Sequence, residues 1–184
     1  MRKSLRLIVQ ALIVLCGANA LAAQERIQLG AHVHGHGKLD MALEGQQLEM
    51  ALNVPGMDIV GFEHEAHSQE DKGAISKARE SLAQGVKLFG LPKAAHCKQL
   101  SSNVEISHEK EHEKGHKHEG EHGAFQVSYQ FECAAPQHLT SLQFAPFFTR
   151  FPNSHELDIA FISAKSQQKF EVRRDQPVLE GMKP

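Results

Sequence analysis

Apolar and polar positions alternate from residue 37 to residue 54. Leu39, Met41 and Leu43 are separated by polar or small residues, Glu44-Gly45-Gln46-Gln47 supplies a turn, and Leu48, Met50 and Leu52 resume the alternation before Pro55. A period of two places the apolar side chains on one face of a strand, so this stretch predicts a β-hairpin. The rhythm changes after residue 68. Ile75, Ala78, Leu82, Val86 and Phe89 fall at helical spacing, and Gly90 and Pro92 follow them. Ser68 can cap the start with Asp71 in the capping-box position, so residues 68–89 predict one helix. Further on, 103–107 and 125–133 read as strands, 139–144 as a short strand, and 145–151 as a short aromatic helix or turn. Residues 157–163 and 169–174 read as a closing hairpin. The aromatic group Phe144, Phe147, Phe148 and Phe151 reads as core. Strands outnumber helices, and tight connections favour antiparallel pairing. The expected fold is α+β: an antiparallel β-sheet with one main helix packed on it.

Two stretches break this pattern. Residues 108–123 contain no apolar residue and cannot bury a face, so they predict a disordered, His-rich loop. The first residues are basic at Arg2, Lys3 and Arg6, then apolar from Leu7 to Leu15 apart from Gln10, then small from Ala18 to Ala23. That order is a secretory signal peptide, expected at 1–23, and the apolar run is short for a membrane span. The rest, 24–184, is expected to be a single metal-binding domain outside the cytoplasm, with no membrane insertion once the signal is removed.

The signal changes the charge and the cysteine count. The whole chain has 20 Lys plus Arg and 22 Asp plus Glu; without the three basic signal residues the balance is 17 to 22, a formal charge of −5. An acidic chain lacks the basic patches that nucleic acid or anionic membranes require. Once Cys16 is removed, Cys97 and Cys133 remain. In an oxidising compartment two cysteines predict one disulfide, and neither has the CxxC partner of a thiolate metal site.

The thirteen histidines carry the chemistry. Neutral imidazole is the commonest side-chain metal ligand. His32, His34 and His36 alternate, so neighbours in the series face one side of an extended strand about 6.6 Å apart. Gly35 and Gly37 would let that strand bend to bring all three inward. His64 and His67 flank Glu65 just before the predicted helix and add a second imidazole–carboxylate group. His108, His112, His116, His118 and His122 occupy the polar stretch, where they can make weak, exchangeable metal contacts. HExxH occurs three times there, but the protease motif needs a buried helix beside a substrate cleft, and this stretch has no apolar face. His96, His138 and His155 are isolated and read as surface or loop histidines.

His32-Val33-His34-Gly35-His36-Gly37, the Leu39-to-Leu52 hairpin and Asn53-Val54-Pro55-Gly56-Met57-Asp58-Ile59-Val60-Gly61-Phe62-Glu63-His64-Glu65 together resemble the ZrgA-like periplasmic zinc-binding proteins. The resemblance spans nearly the whole chain after the signal, with a His-rich stretch in the corresponding place. It implies zinc acquisition in a Gram-negative periplasm alongside an ABC-type importer or its binding protein, and it carries over onto His32, His34, His36 and His64. The expected ligand is Zn²⁺; Cu²⁺ and Ni²⁺ also favour imidazole. The expected role is capture without catalysis. Its rivals are a metal buffer or resistance protein and a zinc-dependent hydrolase, which would need an open metal position beside a substrate cleft.

Overall fold

The structure, a computed structural model, describes residues 34–109 and 122–184, apart from the side chains of 108, 109 and 122. The alternating stretch forms the expected hairpin, β1 (His36–Glu44) and β2 (Gln47–Pro55), with strict exposed–buried alternation along β1. A six-stranded sheet is built on it. With β3 (Cys97–Glu109), β4 (His122–Cys133), β6 (Glu156–Ser163) and β7 (Gln167–Arg173), the order is β3-β4-β2-β1-β6-β7. A second, two-stranded sheet pairs β5 (Ser141–Gln143) with β8 (Val178–Glu180), a strand the sequence pattern does not announce.

The main sheet is mixed, which corrects the antiparallel expectation. β1 and β6 run parallel in the register His36↔Glu156 to Leu43↔Ser163; the remaining pairs are antiparallel. Short connections dictate antiparallel pairing only between strands adjacent in sequence. β6 comes more than 110 residues after β1 and starts at the same end of the sheet, so it runs the same way.

The single helix of the sequence reading also divides. A short α1 (Gly56–Val60) follows β2, and the expected helix forms as α2 (Gln69–Leu82) and α3 (Gly85–Leu88). The start is as read: the Asp71 N–H donates to Ser68 Oγ and the Ser68 N–H to Asp71 Oδ2, a complete capping box. The break has a physical cause. The Tyr129 hydroxyl donates to the Leu82 carbonyl at 2.7 Å, and Gln99 Nε2 and Ser102 Oγ donate to the Ala83 carbonyl at 2.8 and 2.9 Å. Side chains from the sheet thus take the carbonyls at the point where the helix breaks.

One face of the sheet is core. Leu39, Leu48, Val54, Phe131, Leu157 and Phe161 are fully buried there, each contributing about 1.5–3 kcal/mol. Phe89 packs edge-on to Tyr129 at 5.4 Å and near Phe144 and Phe147, the latter two on and beside α4 (Ala145–Arg150). The sheet has two functionally different ends. At one, Cys97 and Cys133 sit opposite each other in the β3–β4 register and form the expected disulfide. The 36-residue separation corresponds to about 3–4 kcal/mol of loop-closure entropy. At the other end lie Glu109 and His122, Pro55 beside Ala124, His36, and Glu156 beside Arg173. The strands run to Glu109 and from His122, so the polar loop is shorter than 108–123; residues 110–121 lie outside the described residues.

Candidate metal centre

Gly35 organises the corner at this second end. It lies in the turn before β1 with φ +86°, a conformation that side chains disfavour. Its N–H donates to Asp58 Oδ1 at 2.7 Å. Its carbonyl accepts from the N–H groups of His155 and Glu156 at 2.8 and 2.9 Å. A Cβ at this position would come within 2.8 Å of His155 Cδ2, so the His155 ring lies directly over it. The backbone between His34 and His36 is therefore tied to α1 on one side and to the start of β6 on the other. Gly37 does not bend the strand inward: Val54 and Leu157 fill the space where its side chain would be.

Asp58 is carried by α1. A Cβ on Gly56 would meet Phe62 O at 2.7 Å and Gly123 O at 3.0 Å, so α1 nests against both the following loop and the start of β4. The Gly61 N–H closes the helix onto Met57 O at 3.1 Å. Asp58 is 1% exposed, and its Oδ2 is buried without a hydrogen-bond partner among the described residues. Burial raises the carboxyl's pKa above its ordinary value, with Glu63 adding to the rise; the Gly35 N–H and the imidazoles of His34 and His155 oppose it. Those same influences locate the neighbours: His34, His155 and Glu63 all lie within electrostatic reach of Asp58. His34 Nε2 is 3.3 Å from Glu63 Oε1, whose side chain is 9% exposed.

The loop that presents His155 is held firmly. Asn153 Nδ2 donates to Met57 O at 3.2 Å, joining the loop to α1. The Arg174 guanidinium donates to the carbonyls of Phe148, Phe151, Pro152 and Ser154 and lies over the Phe148 ring. The Arg174 N–H donates to His155 O at 2.9 Å.

The other histidines expected to bind metal are distributed around this corner. His36 Nδ1 is 3.2 Å from Glu156 Oε1, a different carboxylate from the one His34 meets. His64 is exposed, stacks on Phe62 at 4.7 Å, and has Nδ1 3.0 Å from Glu65 O. It helps hold the Asp71 carboxyl at the start of α2 below its ordinary pKa, as the His67 backbone does, after the larger effect of Ser68. His108 and His122 have their backbones on β3 and β4. His32, His112, His116 and His118 lie outside the described residues. The structure thus brings His34 together with Asp58 and His155, which the sequence pattern did not single out as ligands. Asp58 has no partner at ligand spacing, and His155 is isolated in sequence; what distinguishes them is burial and the Gly35 hydrogen bonds.

Among the described residues, one group has three ligand atoms mutually within 4.8 Å: Glu156, Asp158 and Glu171. A cation is already there. Arg173 Nε is 3.2 Å from Glu156 Oε2 and Arg173 Nη2 is 2.5 Å from Glu171 Oε1. Glu171, then Glu156, holds the Arg173 pKa above its ordinary value. A concavity of about 430 Å³ lies elsewhere, on the open face of the sheet, lined by Asp40, Ala42, Glu49, Ala51, Asn103 and Ser128 among others. None of the corner residues lines it. Among the described residues no helix is long and apolar enough to cross a membrane.

Fold and corner together define a small β-rich domain with imidazole and carboxylate donors collected at one end of its sheet. The chain matches the model of the ZrgA family zinc uptake protein over residues 31–180, and it belongs to that family. No curated protein matches it. Membership gives the protein a zinc-related role, and the mixture of imidazole and carboxylate groups suits Zn²⁺.

Proposed function

We propose that the protein captures zinc in the periplasm and supports its uptake by an ABC-type importer, and that it catalyses no reaction. The family match over most of the chain carries this reading. The signal-like pattern at 1–23 supports export. The folded domain holds one metal with N and O donors at the corner described above. β3 ends and β4 begins at that same end of the sheet, and His108, His112, His116, His118 and His122 collect further metal more weakly. Cys97–Cys133 ties the opposite end of the two strands.

Capture and storage use the same donors and differ in consequence. A deletion strain that grows poorly in chelator but normally in excess zinc supports delivery; the reverse phenotype supports buffering. Purified mature protein should bind at least one zinc tightly and several more weakly. Removing residues 110–121 should lower the stoichiometry and leave the tight site in place. Calorimetry in which that deletion abolishes tight binding would overturn the division of labour.

A further inference from the structure

We propose that Asp58 and His155 complete the tight zinc site with His34 and Glu63, and that His36 and His64 lie outside it. This rests on the zinc-capture reading. Burying a carboxylate is costly unless hydrogen bonds or a cation compensate it. One Asp58 oxygen has the Gly35 N–H; the other is buried with no donor among the described residues. Both flanking imidazoles lie near it, and neither is tied up in the core: His34 and His155 are exposed side chains that can turn about χ1 and χ2. Their backbones are fixed around the same residue, since His34 precedes Gly35 and the His155 N–H donates to the Gly35 carbonyl. Glu63 already meets His34. Two imidazoles and two carboxylates make a four-donor N/O set of the kind Zn²⁺ accepts in tetrahedral geometry.

The arrangement divides labour between rigid and mobile parts. Asp58 is fixed by α1 and by Gly35, so it defines where the ion sits. The imidazoles close on it from the solvent side. Arg174 is a positioning residue: by binding the carbonyls of the 148–154 segment it holds the loop from which His155 projects. His36 is engaged with Glu156, and His64 with its own Phe62–Glu65 segment, so neither has to be moved to build the site.

The test is a competition titration of the mature, metal-free protein against a zinc chelator, with ring resonances of the histidines followed by NMR as the first equivalent of zinc is added. Outer partners of metal ligands commonly contribute about 10–100-fold in affinity. Loss of a ligand should exceed that range, so Asp58→Asn and His155→Ala should each weaken tight binding at least ~100-fold. His36→Ala and His64→Ala should each change it less than ~3-fold, below that outer-partner range. In the wild-type protein the His34 and His155 rings should shift with the first equivalent and the His36 and His64 rings should not. The NMR arm needs no variant, so it stands even if Asp58→Asn fails to fold. A wild-type protein that binds no zinc tightly overturns both this site and the capture reading. Tight binding with unshifted His155 and unchanged affinity in His155→Ala overturns this site alone.

Discussion

The Glu156–Asp158–Glu171 cluster and the lone Asp58 lie at the same end of the sheet, and they differ in what surrounds them. Glu156, Asp158 and Glu171 bring their oxygens closest together, and Asp158 and Glu171 are exposed. Arg173 bridges two of them, so their charge is already compensated. Asp58 is a single carboxylate, nearly inaccessible, with one oxygen on a backbone N–H and the other unmatched among the described residues. Close packing of ligand atoms therefore does not by itself identify a metal site. What matters is whether the charge is still uncompensated: His36 stands beside Glu156, but Arg173 already neutralises that group.

The comparison breaks most readily at Gly35. Gly35→Ala forces a side chain into φ +86° and into the His155 ring. Strain of about 1–3 kcal/mol, plus the displaced ring, should lower stability by about 2–4 kcal/mol and weaken zinc binding together. Urea unfolding monitored by circular dichroism, with and without zinc, measures both. A variant with parental stability and affinity would show that the Gly35 clamp does not build the corner.

Asp58 should leave a signature in the metal-free protein. Its folded pKa is raised above the ordinary 3.8, so the unfolded chain ionises first as pH rises. Below 3.8 the carboxyl is protonated in both states and costs nothing; from there up to the raised folded value stability is lost progressively, and the loss persists above it. Asp58→Asn keeps an oxygen for the Gly35 N–H and cannot ionise. Melting temperatures of the two metal-free proteins should therefore diverge in favour of the variant as pH rises from acid to neutral. Parallel curves would mean that Asp58 is not a desolvated carboxylate.

The exposed patch should respond least. Arg173→Ala removes a solvent-exposed bridge, which typically contributes under about 1 kcal/mol. It should shift stability within that range and leave the zinc affinity unchanged. A large gain in zinc affinity on removing Arg173 would mean that the three carboxylates had been a metal site held shut by the guanidinium.

Much of the fold was legible because it is local. The 37–54 alternation specifies the hairpin, and Ser68 with Asp71 specifies the start of α2. The end of that helix was not legible, because Gln99, Ser102 and Tyr129 compete for its carbonyls from distant strands. The parallel β1–β6 pair is likewise a contact between remote segments. The proposed site follows the same division. The His-x-His alternation singles out His34 as a candidate. Asp58 sits between Met57 and Ile59-Val60 without any spacing signal, and His155 stands alone in sequence. Only the fold brings them to Gly35, by two hydrogen bonds that no local pattern encodes.

The most direct measurement compares the two carboxylate groups in one titration: zinc affinity of Asp58→Asn beside that of Glu171→Gln, each against the parent protein. The account predicts that Asp58→Asn loses the tight site, by at least ~100-fold, beyond the range of an outer partner, while Glu171→Gln binds as the parent does. A tight site that survives in Asp58→Asn and is lost in Glu171→Gln would contradict it.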